Sequence, residues 1–141
     1  NADAGGYEIN KIKENFCNKN PNLRIIKKTL GHDLYLNCMR HASVVIGNSS
    51  SGVIEAPMIG VPTVNIGNRQ EGRIMGDTVF KATARKKSII LAINKALKYD
   101  RKIKNKHPFG KGKTSEMILN HIKSYLNKEK ILHKKFFDIK Y

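Results

Sequence analysis

Negative charge is scarce in this chain: 11 Asp and Glu stand against 27 Lys and Arg, a formal charge of +16 over 141 residues. Such an excess invites a nucleic-acid reading. Aromatic residues are also few, with no Trp, five Tyr and five Phe, and no RNA- or DNA-binding motif with stacking platforms is present. The excess is uneven. Residues 101–141 carry twelve Lys and Arg against three Asp and Glu, a net +9 of the +16. There the charges interleave with a helical apolar pattern, which makes many of them a solvated face. Most of the basic residues are Lys, as a Lys-rich proteome would produce without any nucleic-acid partner. The expectation is a basic surface that attracts an anionic small molecule rather than DNA or RNA.

Cysteine is scarce too. Cys17 and Cys38 have no metal-ligand spacing and are too few for a disulfide framework. Each falls on the apolar side of a predicted helix, so free buried thiols in a reducing cytoplasm are expected. No apolar run reaches the roughly 18 residues of a membrane span. The opening Asn1-Ala2-Asp3-Ala4-Gly5-Gly6 has no Met and no signal-peptide pattern, and reads as cut from something longer. Five histidines (His32, His41, His107, His121 and His133) show no ligand-spaced pair with a carboxylate, so neither a metal nor a cofactor is expected. The length suits one domain with a real core.

What the chain does have is one organising stretch, Val44-Val45-Ile46-Gly47-Asn48-Ser49-Ser50-Ser51-Gly52-Val53-Ile54-Glu55-Ala56-Pro57. It reads as a short strand covered on both faces, a tight polar turn, and a helix. Small side chains let a ligand approach the backbone, Ser or Asn can cap the helix, and a helix start is an anion site. Taken alone, a capped turn with no ligand is the commoner use of such a sequence. A second polar turn, Gly67-Asn68-Arg69-Gln70-Glu71-Gly72-Arg73, follows the next strand. In a parallel sheet both turns fall on the edge where open α/β sheets bind ligands. An arginine facing the serine turn would grip an anion from the opposite side. Ser49–Ser51 lack a nucleophile-elbow pattern. Glu71 and Arg73 either pair with each other or line the pocket. Gly110-Lys111-Gly112-Lys113 is a flexible basic turn rather than a phosphate loop.

Around these turns the chain alternates helix and strand. Tyr7, Ile9, Ile12 and Phe16 predict a helix over 7–18, and Leu23 to Lys28 a strand. His32 or Asp33 starts a helix with Leu34, Leu36, Cys38, Met39 and Ala42 on its apolar face. A helix is expected over roughly Val53 to Ile59, a strand at Thr63–Ile66, another at Thr78–Ala82, and a helix over Ser88–Tyr99. Thr114 or Ser115 caps a last helix with Met117, Ile118, Ile122, Tyr125 and Leu126 inward. The fold class is α/β, a Rossmann-like doubly wound parallel sheet. Residues 1–128 form that domain, with at least one strand missing upstream, and 129–141 form a tail.

The stretch Ile46 to Val53 with Glu55, followed by Gly60-Val61-Pro62-Thr63-Val64-Asn65-Ile66-Gly67-Asn68-Arg69-Gln70-Glu71-Gly72-Arg73, closely resembles the UDP-N-acetylglucosamine 2-epimerases, nearest to their hydrolysing branch. The Asn1-Ala2-Asp3-Ala4-Gly5 opening and the Lys134-Lys135-Phe136-Phe137 tail are similar as well. The resemblance implies the C-terminal, UDP-holding half of a two-domain glycosyltransferase-B arrangement. It implies that Ser49 and Ser50 bind the diphosphate with their backbone amides, with Ser51 and Gly52 beside them. It implies that Glu55 accepts from the ribose hydroxyls, that Arg69 reaches the nucleotide from the opposite turn, and that Leu30 touches the uracil through its backbone. The implied reaction eliminates UDP across C1–C2 of the sugar, then adds water to the glycal. Its acid/base carboxylates would lie on an N-terminal domain, so no catalytic residue is expected here and the fragment alone should not turn over. Phe136 and Phe137 would pack on that domain or on a partner subunit of a homo-oligomer. The nucleotide-sugar domain of a glycosyltransferase is the alternative, as is a non-hydrolysing epimerase.

Overall fold

A computed structural model describes residues 5–101, 107–110 and 112–126. The expected 129–141 tail with His133, the first four residues of the opening and Lys111 lie outside the described residues. The elements in chain order are α1 (Gly6–Asn18), α2 (His32–His41), β1 (Val45–Gly47), a 3-10 turn (Ser50–Gly52), α3 (Glu55–Met58), β2 (Thr63–Ile66), β3 (Val79–Ala82), α4 (Lys86–Leu97) and α5 (Thr114–Leu126).

The three strands form one parallel sheet in the order β1-β2-β3. Val45 pairs with Thr63 and Ile46 with Val64, while Thr63 pairs with Val79 and Ile66 with Ala82. The two-residue period of a strand sends alternate side chains to opposite faces. Val64 faces α4 and packs with Ala82, Ala92 and Ala96, with Val44, Ile66, Phe80, Ile89 and Ile93 around them. Val45 points the other way, against Met39 of α2, Ala56 of α3 and Val61. Helices thus flank both faces, and the domain is Rossmann-like α/β as expected. Alanines at 92 and 96 let α4 lie close to the sheet, because no long side chain holds the backbones apart.

Five expectations are corrected. Leu23 to Lys28 is not a strand; Leu23 and Ile25 are 83% and 81% exposed. β-branched residues such as Ile25 and Ile26 make a strand only where a neighbouring edge offers hydrogen bonds, and this segment is tied to α1 instead. The Arg24 guanidinium lies 3.8 Å from the Phe16 ring centre and donates to the Phe16 carbonyl at 2.8 Å. The helix expected over Val53–Ile59 is divided into the 3-10 turn and the four-residue α3, which ends where Gly60 turns to φ 72°. Gly tolerates that left-handed conformation without a Cβ clash. Ile46 is 49% exposed, so β1, an edge strand here, is not covered on both faces along its length. Cys38 is exposed and Cys17 only half-buried, and both are free thiols. On α2 it is Met39 that fills the core. The apolar residues of α5, expected to face inward, are exposed, and α1 likewise buries none of its residues.

Candidate functional site

The parallel sheet puts the carboxyl ends of β1 and β2 side by side, with Gly47 opposite Asn65. The chain leaves both strands through polar turns, and these meet. An open hollow of about 420 Å³ is lined by Asn48, Ser49 and Ser50 from the first turn and by Arg69, Gln70 and Arg73 from the second. Two arginines and two serines therefore line one concavity. No acidic side chain is in that lining. The chemistry favours an anion with several acceptor oxygens.

The first turn is built locally. Ser49 caps the 3-10 turn, its hydroxyl accepting from the Ser51 N–H at 3.3 Å. The N–H groups of Gly52, Val53 and Ile54 are bonded to carbonyls of Ser49 and Ser50. Those four amides are used inside the turn, and the helix that follows has only four residues. The amides of Ser49 and Ser50, those the resemblance assigns to the diphosphate, are not among these four. Ser51 points its hydroxyl to α2, where the Tyr35 hydroxyl donates to it at 2.8 Å. Gly52 is buried and sits where a Cβ would come within 2.9 Å of Thr63 Cγ2. Its smallness lets the turn lie against β2, which is a packing requirement.

The second turn leaves β2 at Gly67, whose φ is 77° and whose N–H donates to the Ala82 carbonyl at 2.8 Å. The Glu71 N–H closes the turn on the Asn68 carbonyl at 2.8 Å. Arg69 and Arg73 emerge on the pocket side, while Glu71 lies outside the lining. Of the pair Glu71 and Arg73, only Arg73 lines the hollow. No feature of the sequence assigns Gln70 a role of its own. Its Nε2 donates to the Asn48 carbonyl at 2.8 Å, joining the two turns.

Glu55 opens α3 and is half-buried, with Oε2 buried and without a hydrogen-bond partner. An enclosed carboxylate oxygen with nothing to accept from is an incomplete arrangement. Leu30 is half-buried in the loop before α2, beside Gly31. Neither Glu55 nor Leu30 is part of the hollow's lining. His32 begins α2 and is exposed; His107 stacks on Phe109 with ring centres 6.3 Å apart. Among the described residues no three His, Cys, Asp or Glu side chains are grouped to hold a metal ion. No described helix is long and apolar enough to cross a membrane.

Comparison with known proteins follows the same residues. The family model described as UDP-N-acetylglucosamine 2-epimerase matches residues 1–123. A UDP-N,N'-diacetylbacillosamine 2-epimerase (hydrolyzing) from Legionella pneumophila is 34% identical over 134 residues, covering 95% of this chain and 35% of the relative. A polysialic acid biosynthesis protein from Escherichia coli is 33% identical over 144 residues, covering 99% of this chain and 36% of the relative. A GDP/UDP-N,N'-diacetylbacillosamine 2-epimerase (hydrolyzing) from Campylobacter jejuni is 42% identical over 80 residues, 57% of this chain and 21% of the relative. The chain spans about a third or less of the length of these curated relatives. The matched region takes in both polar turns and the strands that carry them, and by that match the chain belongs to the UDP-N-acetylglucosamine 2-epimerase family.

Proposed function

We propose that this chain is the nucleotide-binding half of a hydrolysing sugar-nucleotide 2-epimerase and that the hollow between the turns takes the diphosphate of UDP. The observation that carries the reading is the facing of Ser49 and Ser50 by Arg69 and Arg73 at the carboxyl edge of a parallel sheet. A diphosphate offers acceptor oxygens to both sides at once, which a lone phosphate or carboxylate would do less well. Glu55 adds an acceptor that lacks a donor, and a ribose diol supplies two. Leu30 is assigned to the uracil, whose edge can bond with backbone groups. Ser51 and Gly52 shape the turn rather than grip the ligand.

The reaction in this reading converts a UDP-2-acetamido sugar to its free 2-epimer and UDP through a glycal. The names of the Legionella and Campylobacter relatives favour a diacetamido sugar over UDP-N-acetylglucosamine itself. The acid/base carboxylates belong to an N-terminal domain of the parent protein, a homo-oligomer of the cytoplasm in this reading. No catalytic residue is assigned to the chain, which binds UDP but does not turn over alone.

Calorimetric titration of the folded chain with UDP tests this. Saturable binding below millimolar concentration is expected, with no free sugar released from UDP-N-acetylglucosamine. Absence of heat at millimolar UDP overturns the nucleotide site. For the full-length parent, release of a free 2-epimer supports the hydrolysing reaction, and transfer of the sugar to an acceptor supports a glycosyltransferase.

A further inference from the structure

The two turns of the pocket belong to different strands, and something must hold them at the spacing a ligand requires. The 141 residues contain one glutamine, and it sits at the junction. Gln70 is only 4% exposed although its neighbours Arg69 and Glu71 are exposed. Its Nε2 donates to the Asn48 main-chain carbonyl across 22 residues of sequence at 2.8 Å. A carbonyl can only accept, so the amide orientation is set by this bond. The other end, Oε1, is buried with no hydrogen-bond partner. Among the described residues the Gln70 side chain is therefore held by a single polar contact, and that contact joins the serine turn to the arginine turn.

We propose that Gln70 is a positioning residue, which clamps the Asn48–Ser50 turn to the Arg69–Arg73 turn and so sets the width of the anion pocket. The claim rests on the nucleotide reading given above and deepens it. Arg69 precedes the clamp directly and Arg73 lies one short turn beyond it, its N–H donating to the Gln70 carbonyl at 3.3 Å. Asn48, whose carbonyl is gripped, directly precedes Ser49. Each side of the pocket is thus one residue from the clamp. A ligand that spans the pocket depends on the spacing, whereas one held from a single side does not.

The test is a cycle of four proteins: wild type, Gln70→Met, Arg69→Ala and the double variant, each titrated with UDP. Methionine keeps the length and fills the buried site but cannot donate. Gln70→Met is expected to weaken UDP binding about tenfold, the scale of one lost buried hydrogen bond. In the Arg69→Ala background the same change is expected to cost less than about twofold, because one side of the pocket is already lost. A general loosening of the fold would cost the same in both backgrounds. If wild type binds UDP and Gln70→Met binds equally well, or loses equally in both backgrounds, the clamp is overturned and the nucleotide site stands. If wild type does not bind UDP, the nucleotide reading falls, and the clamp as a pocket-setting device falls with it. Should Gln70→Met fail to fold, the wild-type chain decides. Labelled with [15N]glutamine, it shows a single side-chain amide pair. Slow exchange of that pair with solvent, slowing further when UDP is added, supports the clamp. Exchange at the rate of a free amide, or no response to UDP, overturns it.

Discussion

Arg69 is the residue on which the proposed nucleotide site turns. It lines the pocket opposite Ser49 and Ser50, is exposed, and so is available to a ligand without rearrangement. Arg69→Ala should weaken UDP binding at least about tenfold, on the order of 1.4 kcal/mol for a charge-assisted contact, as read by calorimetry. Unchanged affinity in a folded variant would mean that the ligand sits elsewhere. Gly52 makes a different kind of demand. Its backbone conformation is open to any residue, yet a Cβ there would lie 2.9 Å from Thr63 Cγ2, and Thr63 is buried and cannot give way. Gly52→Ala should cost about 1–3 kcal/mol in denaturant unfolding, as overpacking does. Adding Thr63→Ser, which removes that methyl, should recover most of the loss. The glycine was legible in the sequence as part of a tight turn, but the methyl it must avoid comes from a strand eleven positions on.

Between elements, the serine turn is steadied from α2 as well as from β2. The Tyr35 hydroxyl reaches Ser51 at 2.8 Å, and Arg101 caps the far end of α2 by donating to the Ala42 and Arg40 carbonyls at 3.1 and 2.9 Å. Last-turn carbonyls have no partner inside their own helix, so an arginine that satisfies two of them stabilises the helix end. Tyr35→Phe should lower stability by about 1 kcal/mol, the usual net value of one such bond, with the helix content of the far-UV spectrum unchanged. A larger loss would show that the hydroxyl supports more than the turn. Elements whose ends are punctuated were readable: β2 lies between Pro62 and Gly67, and its expected bounds match those observed. The segment 23–28 has the β-branched pair Ile25-Ile26 but no strand beside it. Periodicity reports which side chains could be covered, not whether a partner edge exists.

For the molecule as a whole, the sequence carries a formal charge of +16, and the pocket lining holds two arginines and no acid. A field of one sign raises the local concentration of an anion and is screened by salt. Raising salt from about 0.05 to 0.5 M should therefore weaken UDP binding severalfold by calorimetry, chiefly through screening of the charges around the site. Salt-independent binding would confine recognition to direct contacts. The exposed apolar faces of α1 and α5 belong to this scale too. Tyr7, Ile12, Phe16, Met117, Ile122 and Tyr125 all stand exposed. The helical spacing of these residues was visible in the sequence, whereas their burial was not, since burial depends on what else packs there. Local chemistry was written in the chain: β-branched runs for strands, small polar residues for turns, glycines where φ is positive, and a motif specific enough to name the family. The parallel register of β1 and β2 is another matter. It brings Asn48 beside Gln70 and turns Arg73 into the pocket, and it arises from packing α4 on one face and α2 with α3 on the other, contacts between residues far apart in sequence that no local pattern encodes.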